Sequence, residues 1–142
     1  MSDKIQLTKI FPVSSEMVYD AWLNVESIKK WMCPGEGITV PNPIIDAQVG
    51  GKFQFDMSVG ESTLPHFGEY KILDRAKKIQ FTWNSFNTDN KDSLVTISIE
   101  SLSDKSCELT LMHELLPHEG SIKDHTSGWT RILECLSKEC HI

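Results

Sequence analysis

Residues 121–140 read SIKDHTSGWTRILECLSKEC, and the spacing of the apolar side chains in this stretch decides how the rest of the chain must fold. Ile122, His125, Trp129, Ile132, Leu133, Leu136 and Cys140 recur at intervals of three and four, which is the period of one helical face. Ser121 followed three positions later by Asp124 is a helix-start signal. Glu134 and Lys138 form a favourable i, i+4 pair on the outer face. At 1.5 Å per residue, a helix of about 20 residues spans ~30 Å. A helix of that length with one apolar stripe needs a broad apolar surface to lie on.

The preceding half of the chain supplies that surface. From about Gly37 to Glu114 the period is two: Phe53, Phe55 and Met57 alternate with Gln54 and Asp56, and Gly68, Tyr70 and Ile72 alternate with Glu69 and Lys71. Ile79, Phe81 and Trp83 alternate with Gln80 and Thr82; Val95, Ile97 and Ile99 with Thr96 and Ser98; Leu109, Leu111 and His113 close the series. One apolar and one polar face, strand after strand, predicts an antiparallel sheet covered on a single side. ITVPNPIIDA (38–47) reads as a further strand, weakened and bent by Pro41 and Pro43, which have no N–H for a ladder. The runs VGG, DRAKK, NTDNKD and SDKS supply the turns.

The N-terminal part completes the order. KIQLTKIF alternates as an opening strand, and after Pro12 the residues Val18, Ala21 and Trp22 share a helical face that Ser14 or Ser15 can cap. Asn24 offers a second cap, Glu26 sits near the positive end of the next helix dipole, and Ile28, Trp31 and Met32 repeat the spacing until Cys33-Pro34-Gly35 ends it. The sequence therefore predicts an α+β fold: a strand, two short helices, six more strands and a long C-terminal helix, in one domain over residues 1–142.

Bulk properties narrow the function. The chain carries 14 Lys and Arg scattered in ones and twos, and a net charge of −6, so the basic stripe that nucleic acid or an anionic membrane surface requires is missing. No signal-peptide pattern opens the sequence and no run approaches the ~20 apolar residues of a bilayer span, so a cytoplasmic home without membrane attachment is expected. The four cysteines, Cys33, Cys107, Cys135 and Cys140, form no C-x-x-C pair and are read as reduced thiols.

The runs FPVSSEMVYDAWLNVESIKKWMCPGEGITV, VGGKFQFDM, FGEYKIL, IQFTWNS, LTLMHELLP and HTSGWTRILECL together resemble the family homologous to the C-terminal domain of the activator of the Hsp90 ATPase, within the START-like or Bet v 1-like helix-grip superfamily. The resemblance covers essentially the whole chain. It implies a seven-stranded curved sheet wrapped around the C-terminal helix, with the two short helices closing one end and a cavity between sheet and helix. Members of the family commonly carry Trp-Trp-Gly-Pro where this chain has Trp31-Met32-Cys33-Pro34, a change expected to reshape the cavity mouth. The separate N-terminal domain that the family description ties to Hsp90 docking has no counterpart in these 142 residues, so Hsp90 stimulation is a minor expectation.

The expected cavity is lined by Trp31, Phe53, Phe55, Met57, Tyr70, Phe81, Trp83, Ile97, His113, Trp129 and Leu133, with Trp31 as a wall of the entrance and His66 and His125 as further polar tips. Apolar walls with a few orienting polar groups describe a small-molecule pocket, so the leading expectation is an unidentified small hydrophobic or aromatic ligand. The inward rings are expected to leave gaps between them, the alternative being a filled core whose polar tips satisfy each other. The alternative is a cyclase- or hydrolase-type enzyme using His113 with Tyr70, although strand parity turns Asp56, Glu69, Glu100 and Glu114 away from the cavity. His113, His118 and His125 with Glu114 and Glu119 match no standard zinc spacing, and Cys33 has no assignable base, so no metal, cofactor or catalytic residue is expected.

Overall fold

The computed structural model describes residues 4–140, and its elements follow the order read from the sequence. They are β1 (Ile5–Phe11), α1 (Ser15–Leu23), α2 (Val25–Trp31), β2 (Ile38–Thr39), β3 (Ile44–Ile45), β4 (Lys52–Val59), β5 (Ser62–Asp74), β6 (Lys78–Trp83), β7 (Ser93–Ser103), β8 (Ser106–Glu114) and α3 (Glu119–Cys140), with a 3₁₀ turn at Phe86–Thr88. Every strand pairing is antiparallel, in the order β1-β8-β7-β6-β5-β4-β2, and β3 also pairs with β4. This is a curled sheet gripping one long helix.

Local chemistry accounts for the boundaries. The Ser14 hydroxyl accepts from Met17 N–H to start α1, and the Asn24 side chain accepts from Ser27 N–H at 2.9 Å to start α2. Helix α2 stops at Met32, two residues before Pro34. Gly60 takes a positive φ of 60° in the two-residue turn joining β4 to β5, where a side chain would be strained. The buried alternation holds along β4 (Phe53, Phe55, Met57), β6 (Ile79, Phe81, Trp83), β7 (Val95, Ile97, Ile99) and β8 (Cys107, Leu109, Leu111, His113).

Against this face α3 lays His125, Trp129, Ile132, Leu133 and Leu136, all buried. Fully burying an aliphatic side chain of this kind contributes ~1.5–3 kcal/mol, so the stripe outweighs the helix's weak intrinsic stability. The helix begins at Glu119, two residues ahead of the predicted start, and Ser121 is fully buried whereas Ile122 is half-buried. The Ser121 hydroxyl donates to the Asn87 carbonyl, which pulls that position inward. The side chain of Cys140 lies outside the described ones.

Two strand expectations change. The single bent strand over residues 38–47 is split into β2 and β3, each two residues long, because the intervening prolines interrupt the ladder. In β5 the register shifts between Tyr70 and Ile72, so Leu73, opposite Ile79, packs on the core in place of Ile72. A bulge inserts one residue and reverses parity beyond it. Among the described residues no helix is long and apolar enough to cross a membrane.

Candidate functional site

Many of the rings expected to frame the cavity pack against one another. Phe53 meets Phe55, Tyr70 and Phe81 at centroid distances of 4.9, 5.3 and 5.3 Å, and Phe81 stands 6.1 Å from Trp83. These are ordinary tilted and edge-on aromatic contacts. Phe53, Phe55, Tyr70, Phe81, Ile97 and Leu133 belong to the buried core and are not among the residues that line the cavity described below. Burial pushes the Tyr70 phenol well above its usual range.

Trp31 is corrected from entrance wall to core. It is fully buried, donates its indole N–H to the Ala21 carbonyl at 3.2 Å, and meets Trp22 edge-on at 4.7 Å. That hydrogen bond ties the end of α2 back to α1, and Trp31 is not among the residues lining the cavity described below.

His113 is likewise a core residue, with both ring nitrogens engaged. Trp129 Nε1–H donates to His113 Nδ1 at 3.0 Å, which places the imidazole proton on Nε2. His113 Nε2 then donates to the Ser93 hydroxyl at 2.7 Å, and Ser93 donates onward to the Trp83 carbonyl at 2.6 Å. The relay fastens α3 to β8, β7 and β6. Burial, reinforced by nearby His125, pushes the His113 pKa down to about 2, so the ring is neutral. His113 is 0% exposed, and both of its nitrogens are engaged by Trp129 and Ser93.

A cavity of about 170 Å³ lies further along α3, toward the β4–β5 hairpin. Met57 and Val59 of β4, Leu64 and His66 of β5 and Trp83 of β6 form its floor; Asp124, His125, Gly128, Trp129 and Ile132 of α3 form its roof. Pro34 and Ile38 edge one side, and Phe86 and Asn87 of the 3₁₀ turn the other. Of the expected lining, Met57, Trp83 and Trp129 are brought together here, the two indoles with centroids 5.2 Å apart.

Several of the lining side chains carry polar groups. The Trp83 indole N–H is buried without a hydrogen-bond partner among the described residues. His66 donates from Nδ1 to the Leu64 carbonyl at 2.9 Å, and His125 from Nδ1 to the Ser121 carbonyl at 2.8 Å, leaving His125 Nε2 an acceptor. Burial lowers the pKa of both rings, so both are neutral. At the rim Asn87 Nδ2 donates to the Asp124 carboxylate at 3.3 Å, so the turn and the helix are fastened together there.

Asp124, Gly128 and Ile132 escape strand parity because they come from the helix, yet 124, 125, 128, 129 and 132 form one helical stripe that the sequence displays. Gly128 has a specific purpose: a Cβ built there would lie 3.2 Å from the Pro34 Cβ, so glycine lets the loop after α2 approach α3 closely. A larger depression of about 430 Å³ lies beside β4 and β5, bordered by Lys52, Gln54, Phe67, Glu69, Lys71, Thr82 and Asp92. Its rim carries more charged side chains than that of the smaller cavity.

The sequence profile of the family described as activator of Hsp90 ATPase homolog 1-like protein matches residues 12–140. The chain belongs to this family. A comparison with curated proteins finds no match. Among solved structures, a Chromobacterium violaceum protein superposes with a TM-score of 0.87 at 24% identity, covering 100% of this chain and 99% of that one. An Hsp90 activator from Plasmodium falciparum gives 0.76 at 20% identity, covering 94% and 92% of the two chains. An Aeromonas hydrophila member of the Hsp90 activator-like family gives 0.81 at 16% identity, covering 97% and 92%. At these identities the likeness establishes the shared helix-grip fold of the family. Within that fold, Pro34 of this chain's Trp31-Met32-Cys33-Pro34 run borders the cavity, while Met32 is buried in the core.

Proposed function

We propose that the protein binds a small, uncharged, largely aromatic molecule in the cavity between the β4–β6 face and α3. The observation that carries this reading is the meeting of apolar walls, Met57, Leu64, Trp83, Trp129 and Ile132, with the neutral imidazoles of His66 and His125 around one cavity. An empty apolar cavity of ~150 Å³ accommodates benzene, so 170 Å³ admits one ring, and a longer ligand extends past Pro34 and Ile38. Neutral imidazoles, the Asp124 carboxylate at the rim and a net charge of −6 all disfavour an anion.

Phenol, indole and 1-naphthol test this by thermal shift and tryptophan fluorescence. Saturation a hundredfold above Kd contributes about 2.7 kcal/mol, which raises Tm by several degrees in a chain of this size. Leu64→Trp, which adds bulk to the floor, is expected to abolish the response while retaining the native circular dichroism. No change in melting or emission with any of the three, up to their solubility, would overturn the reading.

Association with Hsp90 is a second reading, supported by the likeness to the Plasmodium falciparum activator along 94% of this chain. An unchanged Hsp90 ATPase rate at a large excess of this protein would remove it.

A further inference from the structure

Cys33 and Cys135 lie 102 positions apart in sequence, but their Sγ atoms are 2.9 Å apart, about 0.9 Å beyond the ~2.05 Å of a disulfide bond. Both residues are half-buried, so a small oxidant can reach them, whereas Cys107 is fully buried. Cys33 is in the loop that leaves α2, immediately before Pro34 at the cavity edge. Cys135 is on α3, one turn past Ile132 in the cavity roof.

We propose that Cys33 and Cys135 form a reversible intramolecular disulfide, made by a hydroperoxide and broken by a dithiol, that staples the α2 exit loop to α3 beside the cavity mouth. The thiol pair itself is independent of the ligand reading; its effect on entry rests on that reading.

The Cys33 thiol has two acceptors within reach, Cys135 Sγ at 2.9 Å and the Trp31 carbonyl at 3.6 Å, and it lies within the field of Arg131. Burial first, and then the contact with Cys135, push the Cys33 thiol up to about 11. One of the two sulfurs attacks the peroxide: an S–O bond forms, the O–O bond breaks, and one water or alcohol leaves, giving a sulfenic acid. The other sulfur then displaces that oxygen, which departs as water with the remaining thiol proton as the S–S bond forms. Two thiols thereby lose two electrons and two protons to one hydroperoxide, and a dithiol reductant returns them.

The link would close a loop of about 100 residues around α3's partner sheet, which favours the folded state through the restricted unfolded chain. In the reduced form no covalent link holds the Pro34 loop against Gly128; in the oxidised form the disulfide does.

The test treats the folded full-length chain with stoichiometric hydrogen peroxide. The expected products are a peptide joining Cys33 to Cys135, an intact mass lower by two hydrogens, two fewer titratable thiols of the four, and a Tm higher on the order of 10 °C. Dithiothreitol should reverse all four changes, and Cys33→Ser and Cys135→Ser should each prevent them with the native circular dichroism retained. A mass that rises by whole oxygens, or a link through Cys140 or between chains, with the Cys33–Cys135 peptide absent, would overturn the proposal. Stopped-flow exchange of 1-naphthol then separates the two claims. Exchange at least tenfold slower in the oxidised form supports gating, and equal rates with the disulfide formed refute it. If neither form binds 1-naphthol, phenol or indole, the ligand reading fails while the dithiol site stands.

Discussion

His113 and His125 stand edge to face with ring centroids 4.8 Å apart, yet the fold gives them different work. His113 is spent on the relay from Trp129 to Ser93, whereas His125 keeps a ring nitrogen free and borders the cavity. Replacing His113 by Leu keeps the volume but leaves the Trp129 indole N–H without an acceptor. The expected cost is about 2 kcal/mol in urea unfolding, with affinity for a cavity ligand changed less than threefold. A tenfold loss of affinity at unchanged stability would instead place His113 in the site. Sequence alone does not separate these two histidines, because strand parity and helical spacing report which face a side chain is on and not which hydrogen bonds it makes. Trp129, Trp83 and Met57 are legible because the cavity lies on the inner face that parity identifies. His66 and His125 are legible only as polar tips on that face.

At the scale of elements, periodicity holds wherever the backbone is regular and fails at one inserted residue. The β5 register shift after Tyr70 moves Leu73 onto the core and Ile72 off it, and nothing in FGEYKIL marks the bulge. Leu73→Ala is therefore expected to cost about 2 kcal/mol and Ile72→Ala less than half of that, measured by denaturant unfolding. Equal costs would mean that both side chains reach the core and that the bulge is without packing consequence. The cavity's displacement from the centre of the sheet has a related origin. The inward rings of β4, β5 and β6 pack into one another, and the cavity lies beside Ile38 of the short β2 and Val59 at the end of β4. That gap depends on how side chains interlock in three dimensions, which no one-dimensional pattern records.

Across the whole molecule, three imidazoles, His66, His113 and His125, are held neutral at one end of the core, and their shifts act together on stability. Burial is the leading cause for each, and His125 further disfavours protonation of both His66 and His113. Asp124 and Asp56, the nearby carboxylates, act in the opposite direction on His125 and His66 respectively. Each folded pKa is below the ordinary 6.5, so below that pH the unfolded chain takes up protons that the folded chain does not. Stability is therefore present above pH 6.5 and is lost as the pH falls through it. Between pH 6.5 and 5.5 an imidazole that stays neutral in the folded state costs about 1 kcal/mol, before the carboxylates titrate appreciably. His113, pushed down to about 2, contributes that full amount, and the other two bring the expected loss to between about 1 and 3 kcal/mol. Urea unfolding at the two pH values measures it directly. His113→Leu should reduce the loss by about 1 kcal/mol, because one of the protons taken up on unfolding is gone. A ligand occupying the cavity should deepen the loss by adding burial around His66 and His125, so the pH dependence of stability also reports whether the cavity is filled.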